Sequence, residues 1–245
     1  VVVCASICGA ETWNDIETFG IAKETWFRKF LELPHGIPSH DTFGRVFALI
    51  DPKEFNRCFL SWVQTFKPGC EQEIINIDGK TLRRSHDESK GKSAIHMVSA
   101  WANTAGLTLG QVKVDDKSNE ITAIPELLKL LELQGCIVTI DAMGTQKAIA
   151  EQIIEKEADY LLALKGNQGT LHEDVQLYFE DAEEEDFSVS KFDYHKTVNK
   201  DHGRIEVREC WATEDVDWLS MKNKWKNLHS ICMIKSTRIV GEERT

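Results

Sequence analysis

Apolar residues in the first 66 positions recur at helical spacing. Ile16, Phe19, Trp26, Phe27 and Phe30 form one run, and Phe43, Val46, Phe47 and Ile50 form a second. Phe55, Phe59, Trp62, Val63 and Phe66 share one face of a third stretch that follows Pro52. Residues 34–39 break the pattern between the first two runs, and Asp41 is placed to cap the second. The spacing predicts three short helices, preceded by an apolar opening that also reads as helical. Such a unit can be a DNA-binding bundle, but its exposed positions carry no basic stripe. A helical cap or assembly module fits it better.

After Pro68 and Gly69 the pattern changes to alternating strands and helices. Strands are predicted over 74–78, 94–102, 107–114, 136–141 and 160–164, and helices over 121–133, 146–156 and 171–179. This order implies an α/β domain with a mixed sheet and helices packed on it. The acidic stretch 180–186 reads as a solvated loop, and 230–240 reads as a strand followed by a turn.

The chain has 245 residues, 42% of them hydrophobic, which is enough for a full core. Forty acidic against 29 basic residues give a net charge of -11. That excludes a surface devoted throughout to nucleic acid or membrane, while leaving room for a local basic patch. Seven cysteines, an odd number with no C-x-x-C pair, fit reduced cytoplasmic thiols rather than a disulfide frame or a zinc site. The apolar opening, residues 1–10, is about half the ~20 residues of a membrane span and has no basic residues before it. The chain starts on Val inside a helical pattern and stops just after a strand, so a piece of a longer protein is expected.

Two of the predicted strands, Ile-Ile-Asn-Ile-Asp78 and Ile-Val-Thr-Ile-Asp141, end in an acid. Ligands of α/β sheets gather beyond the carboxyl ends of strands, and two carboxylates meeting there repel unless a cation lies between them. Oxygen-only donors suit Mg²⁺ or Mn²⁺. The competing reading is that each aspartate merely begins a turn. Gly79-Lys80-Thr81 is not a P-loop, because the required earlier glycine is Ile74, and Asn76 stands where an aspartyl phosphatase needs its nucleophile.

Lys80, Arg83, Arg84, Lys90 and Lys92 follow the first acid closely, as phosphate-binding side chains or as an ordinary charged loop. Lys165, Asn167 and Gln168 stand between a strand and a helix, where they can meet a phosphate. Lys222, Lys224 and Lys226 interleave with Trp218 and Trp225, more simply a solvated helix face than a base-stacking platform. Arg204, Glu206 and Arg208 fall on one side of a strand as a cross-strand salt ladder, and His96, in an apolar run, reads as a core histidine.

Taken together, five runs resemble the DDE transposases of the H-repeat-associated (ISAs-type) insertion-sequence family. They are Gly36-Ile37-Pro38-Ser39-His40-Asp41-Thr42-Phe43-Gly44-Arg45-Val46-Phe47, Ile77-Asp78-Gly79-Lys80-Thr81-Leu82-Arg83, Asp141-Ala142-Met143-Gly144-Thr145-Gln146, Leu164-Lys165-Gly166-Asn167-Gln168 and His202-Gly203-Arg204-Ile205-Glu206. The resemblance implies a helical transposase-associated domain over 1–67. Over 68–245 it implies an RNase H-like mixed sheet flanked by helices, with a β-rich insertion from about residue 187. It makes Asp78 and Asp141 two of three metal-binding catalytic acids, with Mg²⁺ or Mn²⁺ as cofactor. Lys80, Arg83, Arg84, Lys165, Asn167 and Gln168 become DNA contacts.

The implied partners are double-stranded DNA, at the element's ends and at the target, and a second copy of the chain. The implied location is the bacterial cytoplasm, on the chromosome, with no membrane. The third acid of the family lies on a later His-Trp-x-Ile-Glu-Asn helix that this sequence lacks, so truncation at both ends is expected. Glu206 is then a weak substitute. A non-catalytic DNA-binding or dimerising remnant is the rival reading, and a structure-selective nuclease of the same fold is another.

Overall fold

A computed structural model describes residues 1–64, 72–82, 85, 94–114, 119–188, 191–201, 203–240 and 243–244. The chain divides into two compact units, Val1–Phe66 and Lys67–Thr245.

Among the described residues the first unit holds the expected helical opening, α1 (Val2–Ile7), and then four helical segments rather than three: α2 (Trp13–Ala22), α3 (Glu24–Phe27), α4 (His40–Leu49) and α5 (Pro52–Gln64). Lys23, at φ −112° and ψ 12°, leaves helical geometry and divides α2 from α3. Thr12 starts α2 with a capping box, accepting from the Asp15 N–H at 3.2 Å while Asp15 accepts from the Thr12 N–H at 2.9 Å. The cap of α4 is Ser39 and not Asp41. Ser39 is extended and its hydroxyl accepts from the Thr42 N–H, whereas Asp41 lies inside the first turn. Ala5, Ile16 and Phe43 form the small core, with Phe19 and Ile37 against it. Glu17 of α2 accepts from the His40 N–H at 2.9 Å and meets its ring Nδ1 at 2.6 Å, which joins α2 to α4.

The second unit is built on a five-stranded sheet of order β3-β2-β1-β4-β5. Its strands are β1 (Ile74–Thr81), β2 (His96–Ala102), β3 (Leu107–Lys113), β4 (Ile137–Ile140) and β5 (Asp159–Leu162). β1–β2 and β2–β3 are antiparallel pairs, while β4 pairs in parallel with β1 and β5. This is the RNase H-like mixed sheet, with α6 (Glu120–Leu130) packed on β2 and β3 and α7 (Lys147–Glu155) packed on β5. Period-two alternation buries Ile75, Ile77, Val98, Ala100, Val138 and Ile140 on the helix-covered face. The other face is open: Ile74, Trp101 and Leu161 are 39%, 43% and 53% exposed.

α8 (Thr170–Glu184) runs through most of the stretch expected to be an acidic loop. Leu171, Val175, Phe179 and Ala182 keep helical spacing and are all buried, so the core holds one side while the carboxylates face out. A second, antiparallel sheet follows in the order β6 (Asp193–Asp201), β7 (Arg204–Thr213), β8 (Ile231–Val240), β9 (Glu243–Arg244). It shares a core with α8 through Val216, Leu219, Trp225 and Ile231, flanked by Phe187 stacked on Trp211 at 4.6 Å. The interleaved lysine and tryptophan run is therefore no base-stacking platform. It makes a single 3₁₀ turn, Trp225 is buried, and Trp218 stacks on Tyr178. Cys4, Cys8, Cys58, Cys136, Cys210 and Cys232 are free thiols. Among the described residues no helix is long and apolar enough to cross a membrane.

Candidate active site

The sheet register brings the two strand acids together. Asn76 pairs with Thr139 and Ile77 with Ile140, so Asp78 on β1 and Asp141, just past the end of β4, are each the next residue after the last registered pair. Asp78 follows buried Ile77 within β1, so its side chain belongs to the open face, and Asp141, one residue past the end of β4, is exposed. The Thr139 hydroxyl donates to Asn76 Oδ1 at 2.7 Å, locking the register two residues before the acids. Parallel strands lie about 4.8 Å apart, close enough for two carboxylates to repel or to share a cation. Contrary to expectation, β1 does not end at Asp78. It continues to Thr81 because β2 goes on pairing with it (Gly79 with Val98, Thr81 with His96) after β4 has stopped.

Asp141 also begins a turn. Its Oδ1 accepts from the N–H groups of Met143 at 3.1 Å and Gly144 at 3.3 Å, which fixes the carboxylate against its own loop. A Cβ at Gly144 would lie 2.3 Å from Ile140 Cγ2 and 2.7 Å from Ile124 Cδ1, so only glycine fits there. The buried Thr145 hydroxyl lies 3.0 Å from the Asp141 carbonyl and 2.7 Å from the Ala163 carbonyl. Asn167 Nδ2 donates to the Ala142 carbonyl at 2.7 Å, and Gln168 Nε2 donates to the Thr145 carbonyl at 2.6 Å. Both amides thus staple the Asp141 loop from the 3₁₀ turn Gly166–Gln168 that comes after β5, and the neighbouring Lys165 is exposed.

Lys80 is exposed on the same face of β1 as Asp78. Arg83, Arg84, Lys90 and Lys92 lie outside the described residues. Glu206 stays in the second sheet, 2.9 Å from Arg204 Nε and 3.0 Å from Arg208 Nη2, the expected salt ladder. Asp78 and Asp141 offer hard oxygen donors of the kind Mg²⁺ or Mn²⁺ selects, so the residues fit such an ion. Among the described residues no three His, Cys, Asp or Glu side chains are gathered as a ligand set.

One residue escaped the sequence reading. Glu120, the first residue of α6, lies behind β1 with its carboxylate against Gly79, and meets His96 Nε2 at 2.6 Å. His96 is accordingly no core histidine; its side chain is 30% exposed and its other ring nitrogen lies 2.9 Å from the Thr81 hydroxyl. The available signals were a glycine directly after the first acid and an acid directly after the Asn119 cap.

Residues 49–237 match the family model described as "Transposase DDE domain", and residues 1–63 match one described as "DDE_Tnp_1-associated". The chain belongs to the DDE transposase family. Its relatives within the family include the putative transposase YncI of Escherichia coli O157:H7, 45% identical over all of this chain and 62% of that protein. The H repeat-associated putative transposase YhhI of E. coli K12 is 41% identical over all of this chain and 64% of its own length. The chain therefore spans a little under two thirds of these two DDE transposases. An uncharacterized protein in the dhlA 3′ region of Xanthobacter autotrophicus is 46% identical over 97% of this chain and 79% of its own. Among solved structures, a piggyBac transposase synaptic complex with hairpin DNA matches at TM-score 0.38 and 11% identity, over 80% of this chain and 47% of that one.

Proposed function

We propose that this DDE transposase acts on double-stranded DNA, nicking strands at the ends of an insertion sequence and joining the freed 3′ ends to a target. The observation that supports the reading is that Asp78 and Asp141 each follow the last registered pair of β1 and β4. These two carboxylates hold Mg²⁺ or Mn²⁺. Such an ion, when bound, makes water a better nucleophile at neutral pH and stabilises charge on a phosphate. Asp141 is kept in place by its turn, and Asn167 and Gln168 fix that turn rather than touching DNA first-hand. Lys80 and Lys165, with Arg83 and Arg84, neutralise backbone phosphates and orient the scissile bond over the acids. Glu206 takes no part, since two arginines already hold it. In this reading residues 1–245 carry two of the three acids and bind DNA without cleaving it.

The test is a nicking assay on element-end DNA, using the 245-residue chain and the same chain extended by the C-terminal segment of YncI. The extended protein is expected to nick in Mg²⁺, and Asp78→Ala or Asp141→Ala to slow it by about 10³-fold or more. The 245-residue chain should stay at background while binding DNA. Lys80→Ala should lower the salt slope of that binding by about one unit. Nicking by the extended protein that ignores both aspartates would sink the reading. Robust nicking by residues 1–245, sensitive to the same substitutions, would put the third ligand inside this stretch.

A further inference from the structure

We infer that Glu120, held by His96, is a positioning residue for Asp78; the inference rests on the proposed role of Asp78 in cation binding. A Cβ built at Gly79 would lie 2.1 Å from Glu120 Oε1 and 2.3 Å from its Cδ, so the carboxylate occupies the space a side chain there would fill. Glu120 has only 15% of its side chain exposed, and a carboxylate that far from water needs a donor. His96 supplies one, and its second ring nitrogen engages Thr81. Gly79 and Thr81 are consecutive covered-face positions of β1, and Asp78 and Lys80 are the open-face positions interleaved with them.

This part of β1 lies past the end of its β4 pairing, and among the described residues β2 is what pairs with its backbone. The Glu120–His96–Thr81 chain braces that free side from behind, through α6. Any backward movement of Gly79 would run into the carboxylate, and any twist of Thr81 would break the ring contact. Because strand residues alternate, fixing 79 and 81 fixes where the Asp78 carboxylate emerges on the other face. Glu120 itself lies on the covered side and does not reach the cation.

The experiment measures Mn²⁺ affinity of the 245-residue chain by electron paramagnetic resonance, alongside thermal melting, for Glu120→Ala, Glu120→Gln, Thr81→Val and Asp78→Ala. Glu120→Ala is expected to weaken Mn²⁺ binding about 10-fold, the usual effect of removing a group that orients a ligand. Glu120→Gln keeps a hydrogen bond to His96 and should stay within about threefold of wild type. Should Glu120→Ala not fold, Thr81→Val, at an exposed position, removes only the outer anchor of the ring and should cost about threefold. Asp78→Ala should abolish the site.

Unchanged Mn²⁺ affinity in Glu120→Ala or Thr81→Val, with Asp78→Ala still defective, would overturn the inference and leave the proposed function standing. Equal loss in Glu120→Gln and Glu120→Ala would overturn it by making Glu120 a ligand. No loss in Asp78→Ala would overturn both.

Discussion

In the five-stranded sheet, Asp78 on β1 and Asp141 just past β4 each follow the last registered pair of two parallel strands, and among the described residues no base is bonded to either. In the four-stranded sheet, Glu206 stands near the start of β7 with an arginine two positions before it and another two after, both in contact. The first arrangement leaves like charges side by side, which costs stability unless something else compensates; the second neutralises the acid within its own strand. Parallel pairing produces the difference, because equivalent strand ends come out together. In the proposed function it is the acid pair, and not the neutralised Glu206, that carries the chemistry.

The sharpest way to break this contrast is to disturb the loop that holds one acid. Gly144→Ala pushes a methyl group into Ile140 and Ile124 and is expected to destabilise the second unit by about 2 kcal/mol in urea denaturation. A change within about 0.5 kcal/mol would show that the Asp141 turn is slack. Glu206→Gln should cost about 1 kcal/mol, since two guanidiniums lose their carboxylate.

Asp78→Asn should have the opposite sign, raising stability in metal-free buffer by about 0.5 kcal/mol as the repulsion with Asp141 is relieved. Stability lost there, measured under the same conditions, would mean that Asp78 is paired after all. The smallest effect belongs to His40 and Glu17 in the helical unit. The Glu17 hydrogen bond raises the His40 pKa above 6.5, and the His40 backbone N–H, followed by its ring, lowers the Glu17 pKa below 4.5.

The histidine contribution is full below pH 6.5 and is lost as pH rises through its folded pKa. The glutamate contribution is full above pH 4.5 and is lost as pH falls through its own. The pair therefore helps most between those values. In NMR titration Glu17→Gln should lower the His40 pKa, and an unchanged value would refute the pairing.

Much of the fold was legible. The apolar runs ending in Asp78 and Asp141 marked two core strands, and the Arg204–Glu206–Arg208 spacing marked the ladder. The register between β1 and β4 was not legible, because local periodicity says nothing about which distant strands pair. His96 was misread because its apolar neighbours hid a partner 24 residues away on α6. The end of α8 was misread because a run of acids looks solvated whether or not a buried stripe passes through it. Asp41 lost the cap to Ser39 because both residue types suit the position, and backbone geometry chose between them.

The contact between Thr139 and Asn76 spans 63 residues of chain. β1, β2 and β3 are a meander of sequence neighbours, whereas β4 reaches β1 across the whole stretch that holds β2, β3 and α6. Loop closure of that length is entropically late, so the last pairing to form in this sheet is expected to be the one that unites the two aspartates. Refolding kinetics would then see the acids meet at the end, and a chain halted before that step would be well structured with its two aspartates still apart.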